Sequence, residues 1–145
     1  MIRKMTAQDK ETVLEMMQVF YASPAVLSNG SEEIFRSDVD ACVTDNPYLD
    51  GYVWEEMGEI LGYAMCAKSF STEFGKPCVW IEDLYLKPRA RGQGRGGAFL
   101  RYIRSAYPGA LLRLEAEPEN AVAVALYRKM GFEELPYLEL KQSIP

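Results

Sequence analysis

The chain has 145 residues, 48% hydrophobic and 26% charged, with 16 Lys and Arg against 21 Asp and Glu for a net charge of -5. This length bounds a single domain, residues 1–145, with a sizeable core, and the acidic balance argues against a general nucleic-acid binder, whose footprint is basic. No apolar run approaches the ~20 residues that cross a bilayer and no signal peptide precedes Met1-Ile2-Arg3-Lys4, so a cytoplasmic protein without a membrane partner is expected.

No histidine is present. Ser-His-Asp and Cys-His nucleophilic arrangements are therefore excluded, and proton transfer falls to a carboxylate, tyrosine, lysine, cysteine or water. Cys42, Cys66 and Cys78 are widely spaced and odd in number. They indicate neither a disulfide framework nor a zinc site, and no metal is expected.

Ile2 to Met5 reads as a short strand, and Thr6 to Asp9 resembles a capping box with Asp in place of Glu. Val13, Met16, Met17 and Phe20 recur at helical spacing, so a helix runs to about Tyr21. Pro24 and Asn29-Gly30 mark Ser23 to Glu33 as a loop. Ser31 then caps a second helix, with Glu32 and Glu33 in its first turn and Phe35, Val39 and Cys42 along one face. After Asp45-Asn46-Pro47 the period becomes that of strands: "YLDGYVWEE" and "EILGYAMCAKSF" flank a tight turn at Gly58, and "CVWIEDLYLKP" follows after a second loop. A helix with Phe99, Leu100 and Ile103 inward, a strand in "GALLRLEAE", a helix from Pro118–Asn120 to Gly131 and a closing strand "PYLELKQ" complete the chain. In that last helix Val122, Leu126 and Met130 form the expected core stripe. The order β-α-α-β-β-β-α-β-α-β predicts an α/β (α+β) mixed sheet.

Between the third hairpin strand and the next helix lies "PRARGQGRGGAFL", Pro88 to Leu100. Strand, glycine-rich turn and helix make an anion site: glycines let the backbone approach closely, and free N–H groups at a helix start face the ligand. Gly92 to Gly97 also fits GxGxxG, and Glu115 lies about 20 residues on, where a ribose-binding acid belongs in a dinucleotide fold. A Rossmann half, however, places this loop at its first βα turn. Here it follows two helices and three antiparallel strands, which argues against a dinucleotide.

Arg91-Gly92-Gln93-Gly94-Arg95-Gly96 fits the Q/R-x-x-G-x-G/A loop of the GNAT superfamily of acyl-CoA-dependent N-acetyltransferases. The strand "IEDLYLKP" before it, and Asn120, Tyr127 and Gly131-Phe132 after it, resemble the same family across essentially the whole chain. The resemblance implies a GNAT-like fold with a splayed central sheet and acetyl-CoA as co-substrate. It puts the main chain of Arg91, Gly92, Gln93, Gly94, Arg95 and Gly96 on the coenzyme pyrophosphate, with Arg89 and Arg95 facing further phosphates. It puts Leu84 and Leu86 on pantetheine through their main chain, and Asn120 either on coenzyme or in a helix cap. Arg95 departs from the family, which often has a branched apolar residue there, so an orientation to solvent is the alternative.

Acetyl transfer requires a base for the amine, a donor for the oxyanion and a proton or hydrogen bond for the thiolate. Glu82 is the candidate base, a carboxylate in an apolar strand. By alternation it shares a face with Leu84 and Leu86, while Ile81, Asp83 and Tyr85 share the other, barring a bulge. On the residues alone a partly solvated structural acid is an equal reading. The family favours the first acid of "ED" as base, with Asp83 binding substrate or exchanging roles with it. Tyr127 is the candidate acid, its place in "N-x6-Y-x3-GF" matching the family's acid against a plain core role. The run "WEE…GEILGYAM…IEDLYL…RGQGRG" resembles the polyamine and diamine branch, which implies a small primary amine as partner, with amino acids, aminoglycosides and protein N-termini as other classes. Tyr21, Glu32 and Asp83 are the leading acceptor-site candidates, with Ser23, Glu33, Tyr137 and Glu139 behind them. A homodimer is a family expectation. A non-catalytic acyl-CoA-binding or regulatory module on the same fold is the alternative function.

Overall fold

In the computed structural model, which describes residues 1–144, five strands lie in sheet order identical to chain order. They are β1 (Ile2–Lys4), β2 (Leu49–Glu56), β3 (Glu59–Ser71), β4 (Lys76–Leu86) and β5 (Leu111–Leu114). Pairs β1–β2, β2–β3 and β3–β4 are antiparallel, and β4–β5 is parallel. Helices α1 (Lys10–Tyr21) and α2 (Glu32–Val43) fill the connection from β1 to β2, α3 (Arg95–Ala106) makes the parallel crossover, and α4 (Ala121–Lys129) follows β5. The mixed sheet expected from the periodicity is thus present.

Local chemistry sets these boundaries. Ser31 Oγ accepts the Ile34 N–H at 3.2 Å and starts α2. The β2–β3 hairpin turns through Met57 and Gly58, with φ of 50° and 77°, the left-handed pair a two-residue turn needs to match strand twist. Two apolar clusters hold the layers together. On one face Val13, Met16 and Met17 of α1 and Phe35 and Val39 of α2 pack on Val53, Tyr63, Met65 and Tyr85. On the other, Phe99, Leu100 and Ile103 of α3 pack on Tyr52, Ala64, Cys66, Val79 and Ile81, with Leu126, Tyr127, Met130 and Phe132 against their edge.

Three sequence expectations fail. The closing strand at 136–142 does not form, and among the described residues β5 keeps its outer edge unpaired. Alternation gave the signal, but a strand needs a partner edge and a face to cover. β5 offers only four residues, and Leu138 and Leu140 remain more than 80% exposed. Val122 is likewise solvent-exposed; the inward contacts of α4 begin a turn later, at Leu126.

A register shift in β4 decides which way its side chains point. Met65 pairs with Asp83, whereas its neighbour Cys66 pairs with Ile81, so Glu82 is an extra residue in β4. A bulge of this kind resets the alternation. Ile81 therefore joins Leu84 and Leu86 on the α3 face, while Asp83 is buried and Tyr85 enters the α1–α2 cluster. The predicted common face for Ile81, Asp83 and Tyr85 is corrected by that one residue. Farther along, Gly62 pairs with Leu86, and a Cβ at Gly62 would stand 2.4 Å from the Tyr85 carbonyl oxygen. Backbone cannot yield as a side-chain tip can. Gly62→Ala is expected to lower the unfolding free energy by about 2 kcal/mol or more, seen as a reduced urea midpoint at unchanged m-value.

Candidate active site

β4 has a neighbour on both sides only over its first half. The parallel ladder with β5 runs from Cys78–Leu111 to Ile81–Leu114 and stops, whereas pairing with β3 continues to Leu86. Residues 82–86 therefore border a gap, the splay that the family resemblance implies. The Lys87 N–H donates to Leu61 O at 2.8 Å and so faces the β3 side. Alternation along an antiparallel strand then turns the main-chain groups of Leu84 and Leu86 to the open side. The Leu86 carbonyl accepts from Arg91 Nε at 2.8 Å, which leaves the Leu84 N–H and C=O and the Leu86 N–H available at the gap.

At the end of this open edge a short 3₁₀ turn, Pro88–Ala90, leads into the glycine loop. Gly92 and Gly94 adopt φ of 76° and 81°, and Gly94 is the residue from which α3 starts. Among the described residues, six successive N–H groups, Gly92 to Gly97, donate to no protein acceptor; the first bond of α3 is Ala98 N–H to Gly94 O at 3.1 Å. Unpaired amides at a helix start carry the positive end of its dipole, and six exceed what a helix start alone leaves. They fit a phosphate. A Cβ on Gly96 would meet Leu126 Cδ2 at 2.8 Å, so Gly96 also lets α4 approach α3. Gly97 is buried against Met130.

The arginines are committed elsewhere. Arg89 pairs with Glu59, and Arg91 stacks on the Tyr85 ring at 5.4 Å while holding Leu86 O. Arg95 neither faces the loop mouth nor extends into solvent: it pairs with Glu56 through Nε and Nη2 at 2.9 and 3.0 Å. Glu56 was not evident in sequence, being 39 residues from its partner. Asn120 takes the helix-cap role, its Oδ1 accepting the Ala123 N–H at 3.3 Å.

Carboxylates gather at the bulge. Asp83 is 4% exposed and accepts Tyr21 Oη–H at 2.8 Å and Tyr63 Oη–H at 2.7 Å. Burial raises its pKa, and the two hydroxyls counter part of that. Glu82, one residue earlier, is exposed yet raised, first by lost hydration and then by Asp83, Glu139 and Asp38. Asp38 of α2 is pushed up to about 6 by burial and by Asp83. Glu115, just past β5, is pushed up to about 7 by burial, a hydrogen bond with Glu139 and the charges of Glu139 and Glu82. None of Asp38, Glu82, Asp83, Glu115 or Glu139 has an ion-pair partner among the described residues.

Of the acceptor-site candidates, Tyr21 and Asp83 are thus brought together. Glu32 is not: it bonds Arg36 at 3.0 Å in the exposed first turn of α2. Tyr137 donates to Glu73 at 2.8 Å instead of joining the cluster. Asp38 was missed, although a carboxylate one position from Val39 and three from Phe35 sits on the inward stripe and was a readable signal. Tyr127 packs half-buried beside Phe132, with ring centroids 6.0 Å apart, and its hydroxyl has no hydrogen-bond partner among the described residues. Burial raises its pKa.

This fold and site have relatives. Residues 13–132 match the model of the acetyltransferase (GNAT) family, and the chain belongs to that family. It is 34% identical over 84 residues to an uncharacterised N-acetyltransferase of Bacillus subtilis (55% of this chain, 56% of that protein). It is 30% identical over 120 residues to the thialysine N-epsilon-acetyltransferase of Sus scrofa (75% and 68%). Over the Bacillus protein and the Bos taurus thialysine enzyme, the chain spans only about half the relative's length, 56% and 48%. Among solved structures, a possible acetyltransferase from Clostridium difficile 630 superposes with a TM-score of 0.83 at 18% identity, covering 100% of this chain and 97% of that one. AAC(6')-Iy in complex with a bisubstrate analogue of coenzyme A and acetylneamine does so at 0.77 and 16%, covering 100% and 98%. Among the described residues, no helix is long and apolar enough to cross a membrane.

The carboxylate cluster makes stability fall with pH. A carboxyl whose folded pKa lies above its unfolded value costs nothing while protonated in both states and penalises the fold as pH rises through the folded value. For Asp38 that window runs from the unfolded value of about 3.9 to about 6. Asp38→Asn is expected to gain on the order of 1 kcal/mol over the native chain at pH 7.5, with the gain vanishing below pH 4, as read by urea unfolding at both pH values.

Proposed function

We propose that the protein is an acetyl-CoA-dependent N-acetyltransferase acting on a primary amine of a small cationic molecule. The observation that carries this is the open edge of β4 at 82–86, which ends in six unpartnered loop amides and begins in a cluster of unpaired carboxylates. One end suits a polyanion and the other a cation. The amides of Gly92 to Gly97 hold the coenzyme pyrophosphate, and the Leu84 C=O and Leu86 N–H hold the amide-bearing pantetheine arm as an added strand would. Acetyl-CoA supplies the thioester acyl group.

An alkylammonium near pKa ~10 has no lone pair at neutral pH, so the acceptor must lose a proton. The Glu82 carboxylate reaches solvent at the bulge, has a raised pKa and accepts that proton directly or through a water. Asp83 suits the task less: both its oxygens already accept tyrosine hydroxyls inside the core. Its charge keeps the Glu82 pKa up and, with Asp38, favours a cationic acceptor. The Leu84 N–H is the oxyanion donor. The Tyr127 hydroxyl, free of protein partners, donates the proton that the departing sulfur takes. Five unpaired acids around the bulge support an acceptor with a second positive centre, a diamine, polyamine or ε-amine of a lysine-like amino acid.

Tyr127→Phe is expected to lower kcat at least about tenfold with coenzyme binding retained; an unchanged kcat removes Tyr127 from the mechanism. Glu82→Gln is expected to abolish the acidic limb of the kcat/KM profile, because activity must rise with pH as a raised-pKa base deprotonates. Thermal shift separates the cofactor classes: acetyl-CoA raises Tm whereas NAD, NADP and FAD do not. Thiol release across diamines, polyamines, thialysine and aminoglycosides then identifies the acceptor, and release with none of them leaves the binding-module reading.

A further inference from the structure

The ion pair between Arg95 and Glu56 points to a device in the phosphate loop; the inference rests on the loop's proposed role with coenzyme. We propose that Arg95 is a positioning residue, tied by Glu56 so as to hold the loop in its binding shape, and is not itself a phosphate ligand.

Arg95 is the first residue of α3, directly after Gly94, where a free guanidinium would meet an arriving anion. Instead it turns back across the sheet. Nε and Nη2 grip both oxygens of Glu56, at 2.9 and 3.0 Å. Nη1 donates to Ala90 O at 3.2 Å and to Gln93 Oε1 at 2.7 Å. Glu56, at the end of β2, is itself fixed by Trp54 Nε1 at 2.8 Å. One planar fork thus joins the rigid hairpin to both limbs of the loop: Ala90 precedes Gly92, and Gln93 lies between the two left-handed glycines. Glycines at positive φ give an untethered loop many conformers. Bidentate charge-assisted bonds remove them before ligand arrives, and that preorganisation lowers the entropic cost of binding. With its charge answered by Glu56, Arg95 adds little net attraction, which leaves the phosphate to the six amides.

Four variants decide the point: Glu56→Gln, Arg95→Leu, Arg95→Lys and the double Glu56→Gln/Arg95→Leu. Each is first checked for a native melting profile. As a strut, either partner's loss raises the KM and Kd for acetyl-CoA about tenfold with kcat within about twofold, and the double variant is no worse than a single one. Arg95→Lys behaves like Arg95→Leu, since a point charge cannot replace the fork, and the salt dependence of binding is unchanged. As a phosphate ligand, Arg95 would instead bind more tightly in Glu56→Gln, and Arg95→Leu would flatten the salt dependence; either result overturns the proposal. Backbone ¹⁵N relaxation of the ligand-free protein tests the strut without coenzyme. Order parameters at Gly92 to Gly97 fall from about 0.85 to below about 0.6 in all three single variants. Unchanged order parameters overturn the strut, whereas failure of the native protein to bind acetyl-CoA with order parameters falling as expected overturns only the function assigned to the loop.

Discussion

A strand inside a sheet has its backbone groups paired on both sides, and β4 obeys this only as far as Ile81. The ladder with β5 ends there while pairing with β3 continues, so residues 82–86 belong to a sheet on one side only. Unpaired main-chain groups in such a place are costly to leave unsatisfied, which makes the edge receptive to an extended chain with amides of its own. Most features of the site depend on this parting. The bulge at Glu82 coincides with it, and it is the bulge that sends Asp83 and Tyr85 to one core and Leu84 and Leu86 to the other.

The parting also separates charge. The carboxylates collect at Glu82 and the unpartnered amides at Gly92 to Gly97, either side of a stretch of β4 that spans roughly 15 Å at strand rise. One end of this stretch favours phosphate and the other an ammonium group. The arginines do not blur this polarity. Arg95 is neutralised by Glu56, Arg89 by Glu59, and Arg91 is spent on Leu86 O and the Tyr85 ring.

Much of this was legible in the sequence because it is local. Helical period, the Ser31 and Asn120 caps and the glycine loop depend on neighbours a few residues away, and they stand where the pattern put them. What stayed hidden depends on distant partners. Alternation assigned Ile81 to the face of Asp83 because one extra residue in β4 shows only against β3. The segment 136–142 alternates well but lacks an edge to receive it. Arg95 looked like a phosphate ligand or a solvent arginine because Glu56 is brought to it by a hairpin. Asp38 is the exception: it lay on the inward stripe of α2, where a carboxylate is out of place unless it has work to do.

Asp83 shows how such misplaced charge is sustained. A carboxylate this buried ordinarily has a cation; here it has two tyrosine hydroxyls, which stabilise it without cancelling its charge. The uncancelled charge is felt by Asp38 and Glu82, whose pKa values it raises. Replacing either tyrosine by a lysine or arginine would satisfy Asp83 better and lower those pKa values. The fold thus carries a local electrostatic penalty that a purely structural core would remove.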